Sequence, residues 1–466
     1  MNEYLILMKS ELMVALIIFI LLFIKLGKGL SNSILLSVIQ LLLLVNIAVA
    51  FTFNQTGRIF DGMYIHNNLL GVQKGILSVA VYLISLLCTD WLRKSDHLAE
   101  FFILMLSALM GMFFLISSDN LLMFYLSIEL ATIPVAAMAN FDLDRKKSSE
   151  AAMKMILSSA LSSGILLFGI SIIYGITGSL DFATIWGGIN DQPLHVMAFV
   201  FLLSAFAFKL SVVPFHLWTA DVYEGSPVAV TAFLSVVSKG AVAFIFLRVL
   251  YSVFPNISST WYMIVVALSG TTMLIGNLFA IRQDNLLRFL AFSSIAQVGF
   301  ILVGISSNTS QGTLSVTYFI LIYIFSNLAA FGIAAILSST EGIDRISALK
   351  GLYRRSPLLA WALAIALFSL AGIPPTAGFF GKLFLLMAGA SGGNYWFIGF
   401  AALNMIISLY YYLKVVRIVF SAGDEPVNIL PIGISGPVRL GLIICSAGII
   451  FGGLVSWIYD YLKNLL

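Results

Sequence analysis

The chain has 466 residues, of which 60% are hydrophobic and 10% charged, with a mean hydropathy of +1.04 and a formal net charge of +4. This composition leaves too little polar surface for a soluble globule and indicates a protein that crosses a membrane many times. An outer-membrane barrel is excluded, because the apolar residues form continuous blocks rather than short alternating segments.

Fourteen apolar segments are each long enough to span a bilayer, which takes about 20 residues. The first is predicted to be a retained helix rather than a secretory signal, because its basic residues follow the apolar run. The segments are predicted at 11–27, 34–53, 70–89, 100–117, 120–140, 150–176, 194–218, 228–253, 261–281, 286–306, 313–338, 357–387, 394–420 and 438–460.

The positive charges are distributed unevenly between the two sides of this predicted bundle. The side formed by the even-numbered connections and the two chain ends carries only Lys9, Arg58, Lys74 and Lys463. Because cytoplasmic connections are rich in lysine and arginine, the odd-numbered connections are predicted to be cytoplasmic and both termini to lie outside. The odd-numbered connections carry Lys25, Lys28, Arg93, Lys94, Arg145, Lys146, Lys147, Arg282, Arg288, Arg345, Lys350, Arg354, Arg355, Lys414, Arg417 and Arg439.

Two predicted helices, the seventh and the twelfth, are interrupted by proline. The first reads KLSVVPFHLW from Lys209, and the second reads SLAGIPPTAGFFGKL from Ser369 and contains Lys382. The breaks are five helices apart, and an odd number of crossings inverts a repeat in the membrane. We therefore predict inverted repeats at 100–255 and 256–420, with three additional helices in 1–99 and one in 421–466.

Charged residues inside these helices are the candidates for chemistry. Glu129 lies about 14 Å along its helix, near the middle of the bilayer. Charged groups at this depth usually mark ion paths or proton relays. Burial lowers a lysine pKa and a nearby carboxylate raises it, so that protonation can follow conformation. We predict proton transfer by Glu129, Lys209, Lys239 and Lys382, with Lys154 and His216 as accessory groups.

Each candidate also has a purely structural interpretation. Glu129 and the lysines could form buried ion pairs that serve packing. Lys154 could extend its ammonium to the membrane surface, and His216 could be a hydrogen-bonded histidine at the break. Arg248 is expected to anchor the outer end of its helix. Asp221 and Glu224 are expected to cap and orient a cytoplasmic loop, with a role at a proton entrance as the alternative.

Redox chemistry is not expected in this chain. Cys88 and Cys445 lie in separate apolar segments, so the sequence has no disulfide framework and no iron–sulfur ligand set. The four histidines are not spaced for haem ligation, and the sequence contains no GxGxxG, Walker A or HExxH motif. Electrons, if they are involved, must travel in another subunit.

Several motifs together resemble a known family. FKLSVVPFHLWTADVYEGSPVAVTAFLSVVSKGA, LLMFYLSIEL, EAAMKMILSSALSSGILLFG, LLRFLAFSSIAQVGFILVG, LAGIPPTAGFFGKL and YYYLKVVRIVF are similar to signatures of subunit N of bacterial NADH-quinone oxidoreductase, the respiratory complex I. The resemblance runs from about residue 100 to 420. Features such as the lysine of helix 12 favour N over the sister subunits L and M.

The resemblance implies an all-α, antiporter-like subunit with fourteen helices, two inverted five-helix repeats and discontinuous helices 7 and 12. It implies proton transfer by Glu129, Lys209, Lys239 and Lys382, with Lys154 as an accessory. It also implies a bacterial cytoplasmic membrane location, membrane-arm partners including subunits M, J and K, and no nucleic acid. NADH, FMN, iron–sulfur clusters and quinone are expected in partner subunits rather than in this chain.

The chain departs from the family pattern at a few positions. Ala220 and Ser226 replace residues of a loop motif, and Gln297 stands where the family often has a histidine. A glutamine cannot titrate, so bound water or Lys239 would have to bridge the central part of the relay.

The alternatives to a proton-translocating subunit of complex I are a multisubunit cation/proton antiporter, a ferredoxin- or hydrogenase-linked relative of complex I, or a passive membrane scaffold.

Overall fold

The structure is a computed structural model that describes residues 2–27, 30–52, 55–421 and 432–465. Lys28, counted above among the cytoplasmic charges, and residues 422–431 of the predicted C-terminal unit lie outside the described residues. The N-terminal elements are α1 (Asn2–Leu7), α2 (Lys9–Leu26), α3 (Asn32–Phe51), β1 (Gly57–Ile59), β2 (Tyr64–His66), α4 (Asn68–Leu87) and α5 (Thr89–Leu92).

The rest of the described chain is helical. Its first part contains α6 (Leu98–Ser117), α7 (Leu121–Ala139), α8 (Lys146–Thr177), α9 (Phe182–Gly188), α10 (Pro193–Leu210), α11 (Leu217–Gly225), α12 (Val228–Phe233), a π-helical turn (Leu234–Ser238) and α13 (Lys239–Val253). Its second part contains 3-10 turns at Pro255–Ile257 and Ile346–Leu349, and α14 (Ser258–Ile281), α15 (Leu286–Ser306), α16 (Ser310–Glu341), α17 (Leu352–Arg355), α18 (Pro357–Ala371), α19 (Ala377–Ala390), α20 (Tyr395–Phe420), α21 (Gly436–Leu454) and α22 (Trp457–Lys463).

Twelve helices of the described chain are long and apolar enough to cross a membrane. The two other predicted spans differ in kind. The first, α2, carries three charged residues, Lys9, Glu11 and Lys25, and the segment predicted at 357–387 is divided into the shorter helices α18 and α19. An all-helical, multi-pass fold is confirmed, whereas the count of fourteen stays a prediction.

The two predicted helix breaks have the same local structure. α10 ends at Ser211 and α18 ends at Gly372, both in the left-handed conformation, with φ of +65° and +81°. This ending lets the next N–H bond back to a carbonyl of the last helical turn. The corresponding bonds are Val212 N–H to Ala207 O at 2.8 Å and Ile373 N–H to Phe368 O at 3.0 Å. The predicted discontinuities of the seventh and twelfth helices are therefore confirmed.

A second repeated feature lies at the start of α7 and of α15. Asn120 and Asn285 cap these helices through their side chains. Each also forms an isolated bridge with a later segment, at Asp181 and Arg345 respectively. The surrounding sequences, DNLLMF and DNLLRF, are nearly identical, a repeat that the sequence analysis missed because it compared the order of segments only.

The orientation of these two helices is opposite. α7 begins beside Ser118, which bridges to Tyr64 of the β1–β2 hairpin, and we call this side of the bundle the hairpin end. In the first turn of α15, Arg288 contacts Glu224, which also pairs with Lys147 near the start of α8. Because α8 starts where α7 has crossed the bundle, α15 begins at the opposite end. The predicted boundaries of the repeats at 100–255 and 256–420 stay predictions.

Burial separates central helices from peripheral ones. α15 is buried along its whole length, and α4, α12–α13 and α16 are buried over most of theirs. By contrast, only about a third of the membrane-spanning residues of α3, α8, α20 and α21 are buried in the isolated chain. Apolar residues such as Leu157 and Leu161 of α8 are exposed, so these outer helices can face lipid or other subunits.

Candidate functional site

Glu129 and Lys209 lie at opposite ends of a short series of hydroxyl groups. Glu129 accepts a hydrogen bond from Ser163, and Lys209 donates to Thr132 and, at 3.0 Å, to Ser159. Thr132 lies one turn from Glu129 on α7, and Ser159 lies one turn from Ser163 on α8. Among the described residues the two charged groups form no direct ion pair, so a proton would pass between them through hydroxyl groups.

The break after α10 places Lys209 in the last helical turn. Carbonyl groups at this end have no partner within the helix and favour a cation. The indole of Trp218 donates to one of them, Phe208 O, at 3.2 Å. A cavity of about 20 Å³ adjoins Lys209, Thr132 and Ser238. A single water molecule needs only about 10–15 Å³, so one water can connect Lys209 to the turn that precedes Lys239.

Lys239 is the central lysine of the site. It begins α13 directly after the π-helical turn, and its side chain is 2% exposed. Its ammonium donates to Ser294 of α15 at 2.7 Å and lies 5.6 Å from the ring centre of Tyr223. A π-helical turn inside an α-helix often marks a functional site, and here it sets the position of the residue that links α13 to α15.

The segment between Lys239 and Lys382 is bridged by residues of α15 and α20. Ser293, next to Ser294, is hydrogen-bonded to the hydroxyl of Tyr412, which also accepts from Gln297 at 3.1 Å. The same amide nitrogen of Gln297 donates to Leu370 O at 2.9 Å. Sequence reasoning missed Tyr412, although it lies in the quoted YYYLKVVRIVF motif. Its hydroxyl can both donate and accept a proton, which the Gln297 amide cannot do by titration.

Lys382 lies across the second break. Its ammonium donates to Leu370 O at 2.6 Å and lies 4.6 Å from the ring centre of Phe300, and the residue is 1% exposed. Leu370 O belongs to the last turn of α18, whose carbonyls are freed by the break. The close approach of α19 to α18 requires Gly378, where a Cβ would overlap Ser369 O. The break therefore supplies the acceptor for Lys382.

Lys154 belongs to a separate group of ion pairs, which we call the charge cluster. Lys154 pairs at 2.7 Å with both Glu150 and Asp221, and Arg288 pairs with Asp221 at 2.8 Å and with Glu224 at 3.0 Å. These groups line a cavity of about 150 Å³. The cluster consists of Lys147, Glu150, Lys154, Asp221, Glu224 and Arg288.

Two carboxylates of the charge cluster, Asp221 and Glu224, lie on α11 rather than in the loop that the sequence analysis expected. Partial burial raises the pKa of Asp221, but the hydrogen bonds and charges of Lys154 and Arg288 outweigh burial and hold that pKa below its usual value. The pKa of Glu224 is lowered in the same way by Arg288 and Lys147, against the effect of burial. Both carboxylates are therefore ionised at neutral pH.

His216 lies at the first break but apart from the relay lysines. It directly precedes α11 and is 8% exposed, and its Nδ1 atom is buried without a hydrogen-bond partner among the described residues. Among the described residues, no hydrogen bond or ion pair joins it to Lys209. Its accessory role stays a prediction.

The possible metal ligands of the described chain are dispersed. Within the ranges that the structure describes, no group of three or more His, Cys, Asp or Glu residues is arranged to hold a metal ion. Cys88 and Cys445 are both buried as free thiols.

The comparisons of this chain with known proteins agree on one family. Residues 118–408 match the family described as NADH:quinone oxidoreductase/Mrp antiporter, TM. The chain is 47% identical to the NADH-quinone oxidoreductase subunit N of Azobacteroides pseudotrichonymphae genomovar. CFP2, over 89% of this chain and 87% of that protein. It is 45% identical to the protein of the same name from Phocaeicola vulgatus, over 87% of each chain.

A solved structure shares the whole fold. A chain of respiratory complex I from Thermus thermophilus with bound aureothin superposes with a TM-score of 0.83 and 27% identity, covering 97% of this chain and 99% of that one. The similarity therefore includes α1–α5, where the sequence resemblance was carried mainly by hydropathy and length.

Proposed function

The chain belongs to the NADH-quinone oxidoreductase subunit N family, and we propose that its proton path runs through Glu129, Lys209, Lys239 and Lys382. As a member, it is an antiporter-like subunit in the membrane arm of a proton-translocating oxidoreductase. Quinone reduction takes place in other subunits, and the energy it releases moves protons through this one.

One observation carries the choice of residues. Lys209, Lys239 and Lys382 donate to hydroxyl or carbonyl oxygens, and among the described residues none of them forms an ion pair. Lys239 and Lys382 are buried and Lys209 is partly buried. A lysine in such surroundings without a carboxylate partner loses its proton at a smaller cost in free energy than one held in an ion pair. Each of the three can therefore take up and release a proton as neighbouring groups move.

The order of the groups defines a route. A proton on Glu129 reaches Lys209 through the hydroxyls of Ser163, Ser159 and Thr132. The cavity beside Ser238 has room for a water that would connect Lys209 to the Lys239 turn. From Lys239 the route continues through the α15 serines and Tyr412 towards Gln297 and Lys382.

The orientation and the partners complete the proposal. The distribution of lysine and arginine supports an orientation with both termini outside a bacterial cytoplasmic membrane and with the charge cluster, which includes Lys154, on the cytoplasmic side. The partners are other complex I subunits, with subunits M, J and K as the neighbours. NADH, FMN, the iron–sulfur clusters and quinone are bound by partner subunits, and lipid covers the remaining apolar helices.

Replacing Lys209 tests this function. In the assembled complex, reconstituted into vesicles, Lys209→Ala should retain quinone reduction but lower the number of protons moved per electron. Lys463→Ala, an exposed lysine of α22, is the control and should leave this ratio unchanged. A wild-type ratio in assembled Lys209→Ala complex would contradict the proposal.

A further inference from the structure

A buried ion pair lies outside the relay, between α2 and α4. Lys74 and Glu11 are 2.6 Å apart, and their side chains are 0% and 2% exposed. The sequence analysis counted Lys74 among the charges of the outer connections, which is wrong, because it lies on α4 with its side chain enclosed by protein. A pair so deeply buried is costly to desolvate, which raises the question of what it does.

The pair is part of a hydrogen-bonded triad with Tyr64 of β2. The Tyr64 hydroxyl donates to the same carboxylate oxygen of Glu11 at 3.0 Å, and Lys74 donates to the Tyr64 hydroxyl at 2.9 Å. Three protonatable groups are thus in direct contact. The other oxygen of Glu11 is buried and has no partner among the described residues, which leaves it open to accept a proton.

Other polar groups at the hairpin end lack protein partners as well. Ser10 and Ser117 have buried hydroxyls without a partner in the described chain, and so do both ring nitrogens of His66, which is 1% exposed. Buried polar atoms of this kind are normally bound to water. His66 follows Tyr64 by two residues on β2, so the two buried side chains belong to the same strand of the hairpin.

Burial and the nearby positive charges keep the ring of His66 neutral. Burial, together with the positive charges of Lys74 and Lys9, lowers the pKa of His66 to about 3. Glu11 is the negatively charged member of the triad. Arg248, which is paired with Asp119, also acts on Lys74 electrostatically. A neutral imidazole offers one nitrogen that accepts a proton and one that donates it.

A polar contact also leads from the pair towards the relay. Gln73, next to Lys74 on α4, donates to Thr317 of α16 at 3.4 Å, and its carbonyl oxygen is buried without a partner in the described chain. α16 packs against α19, the helix that carries Lys382. This contact links the helix of Lys74 to the helix that packs against α19.

We propose that Glu11 and Lys74 form a further proton-binding site, which exchanges protons with the aqueous phase at the hairpin end through Tyr64 and His66. This inference rests on the proposed function. An arriving proton binds the open oxygen of Glu11 and gives the pair one positive charge. Lys74 then gives a proton to the Tyr64 hydroxyl as that hydroxyl passes its own proton to bound water and His66. The water at the hairpin end receives this proton from His66. Transfer of the Glu11 proton to Lys74 restores the initial state.

A double variant separates this role from a structural one. Glu11→Gln/Lys74→Met replaces the ion pair by neutral groups of similar size, so it removes the protonatable groups without leaving one buried charge unpaired. In vesicles containing the whole complex, we expect quinone reduction to persist and the proton-to-electron ratio to fall to that of Lys209→Ala. The control is Lys25→Met/Glu100→Gln, which removes an exposed pair from the other end of α2 and should keep the wild-type ratio.

The outcomes distinguish the two proposals. A wild-type ratio in the double variant, with a lowered ratio in Lys209→Ala, would show that the Glu11–Lys74 pair only stabilises the structure and does not transfer protons. A wild-type ratio in both would contradict the proposed function itself. If the double variant does not assemble, His66→Gln decides, because His66 lies outside the ion pair. A lowered ratio in that variant supports the exit through the hairpin, and a wild-type ratio overturns it.

Discussion

Tyr412 is the residue on which the second half of the relay depends. Its hydroxyl contacts Ser293 and Gln297, and it is the titratable group between Lys239 and Lys382 on this route. Gln297 cannot titrate, so a proton transfer at this point of the route has to be made by a neighbour. A tyrosine hydroxyl can do so by accepting one proton as it donates another.

Tyr412→Phe should therefore lower proton translocation while the complex still assembles. The ring, and thus the packing against Phe289, is kept, and the loss of one buried hydroxyl costs about 1–3 kcal/mol. The measurement is the proton-to-electron ratio at matched rates of quinone reduction. Tyr410→Phe on the same helix, where the side chain is 62% exposed, is the matched control. Equal ratios in the two variants would remove Tyr412 from the route.

The charge cluster makes a prediction about pH. Because the pKa of Asp221 lies below its unfolded value, its ion pairs contribute to stability above the unfolded pKa, about 3.9, and this contribution is lost as the pH falls through the folded pKa. Infrared difference spectra of wild type minus Asp221→Asn should therefore show a protonated acid only below the usual pKa of aspartate. A protonated Asp221 near pH 5 would show that Lys154 and Arg288 do not hold the carboxylate ionised.

At the scale of the elements, the two broken helices are the features that position the site. α10 supplies Lys209 in its last turn, and α18 supplies the Leu370 carbonyl to which Lys382 on α19 donates. The lysines therefore occupy different halves of their helices, yet both lie next to carbonyls freed by a break. The same kind of helix break therefore supplies free carbonyls to a lysine that precedes the break and to a lysine that follows it.

Gly378→Ala tests whether this backbone geometry is required. The added methyl group would overlap Ser369 O, so α19 has to move away from α18, at a cost of about 1–3 kcal/mol. We expect a lower thermal unfolding temperature and a lower proton-to-electron ratio, since Lys382 moves away from Leu370. Gly399→Ala on α20 has open space around the new methyl group and should be neutral or slightly stabilising. Similar unfolding temperatures for both variants would show that α19 does not pack tightly against α18 at Gly378.

The elements also show what sequence reasoning could predict. Proline and glycine identified both breaks, and apolar runs of membrane-spanning length identified the spans, because these signals are local. The β1–β2 hairpin, the π-helical turn before Lys239 and the burial of Lys74 depend on tertiary contacts. Depth along a segment suggested that Lys239 is buried, but nothing in the local sequence indicates that Lys74 meets Glu11.

At the scale of the whole molecule, the two inverted halves contact each other at the charge cluster and in the middle of the proposed route. Arg288 of the second half holds the carboxylates of α11 in the first half, and Ser294 of the second half accepts from Lys239 of the first. The DNLLMF and DNLLRF segments mark the equivalent starts of α7 and α15. Their similarity was available in the sequence, and a comparison of the chain with itself would have found it.

The central claim is that the four charged residues act in series, so that blocking one blocks the whole route through this chain. The most direct measurement is the proton-to-electron ratio of vesicles containing Lys209→Ala, Lys382→Met and the combined variant. A serial route predicts the same lowered ratio in all three, with no further loss in the combined variant. Wild-type ratios, or losses that add in the combined variant, would contradict it.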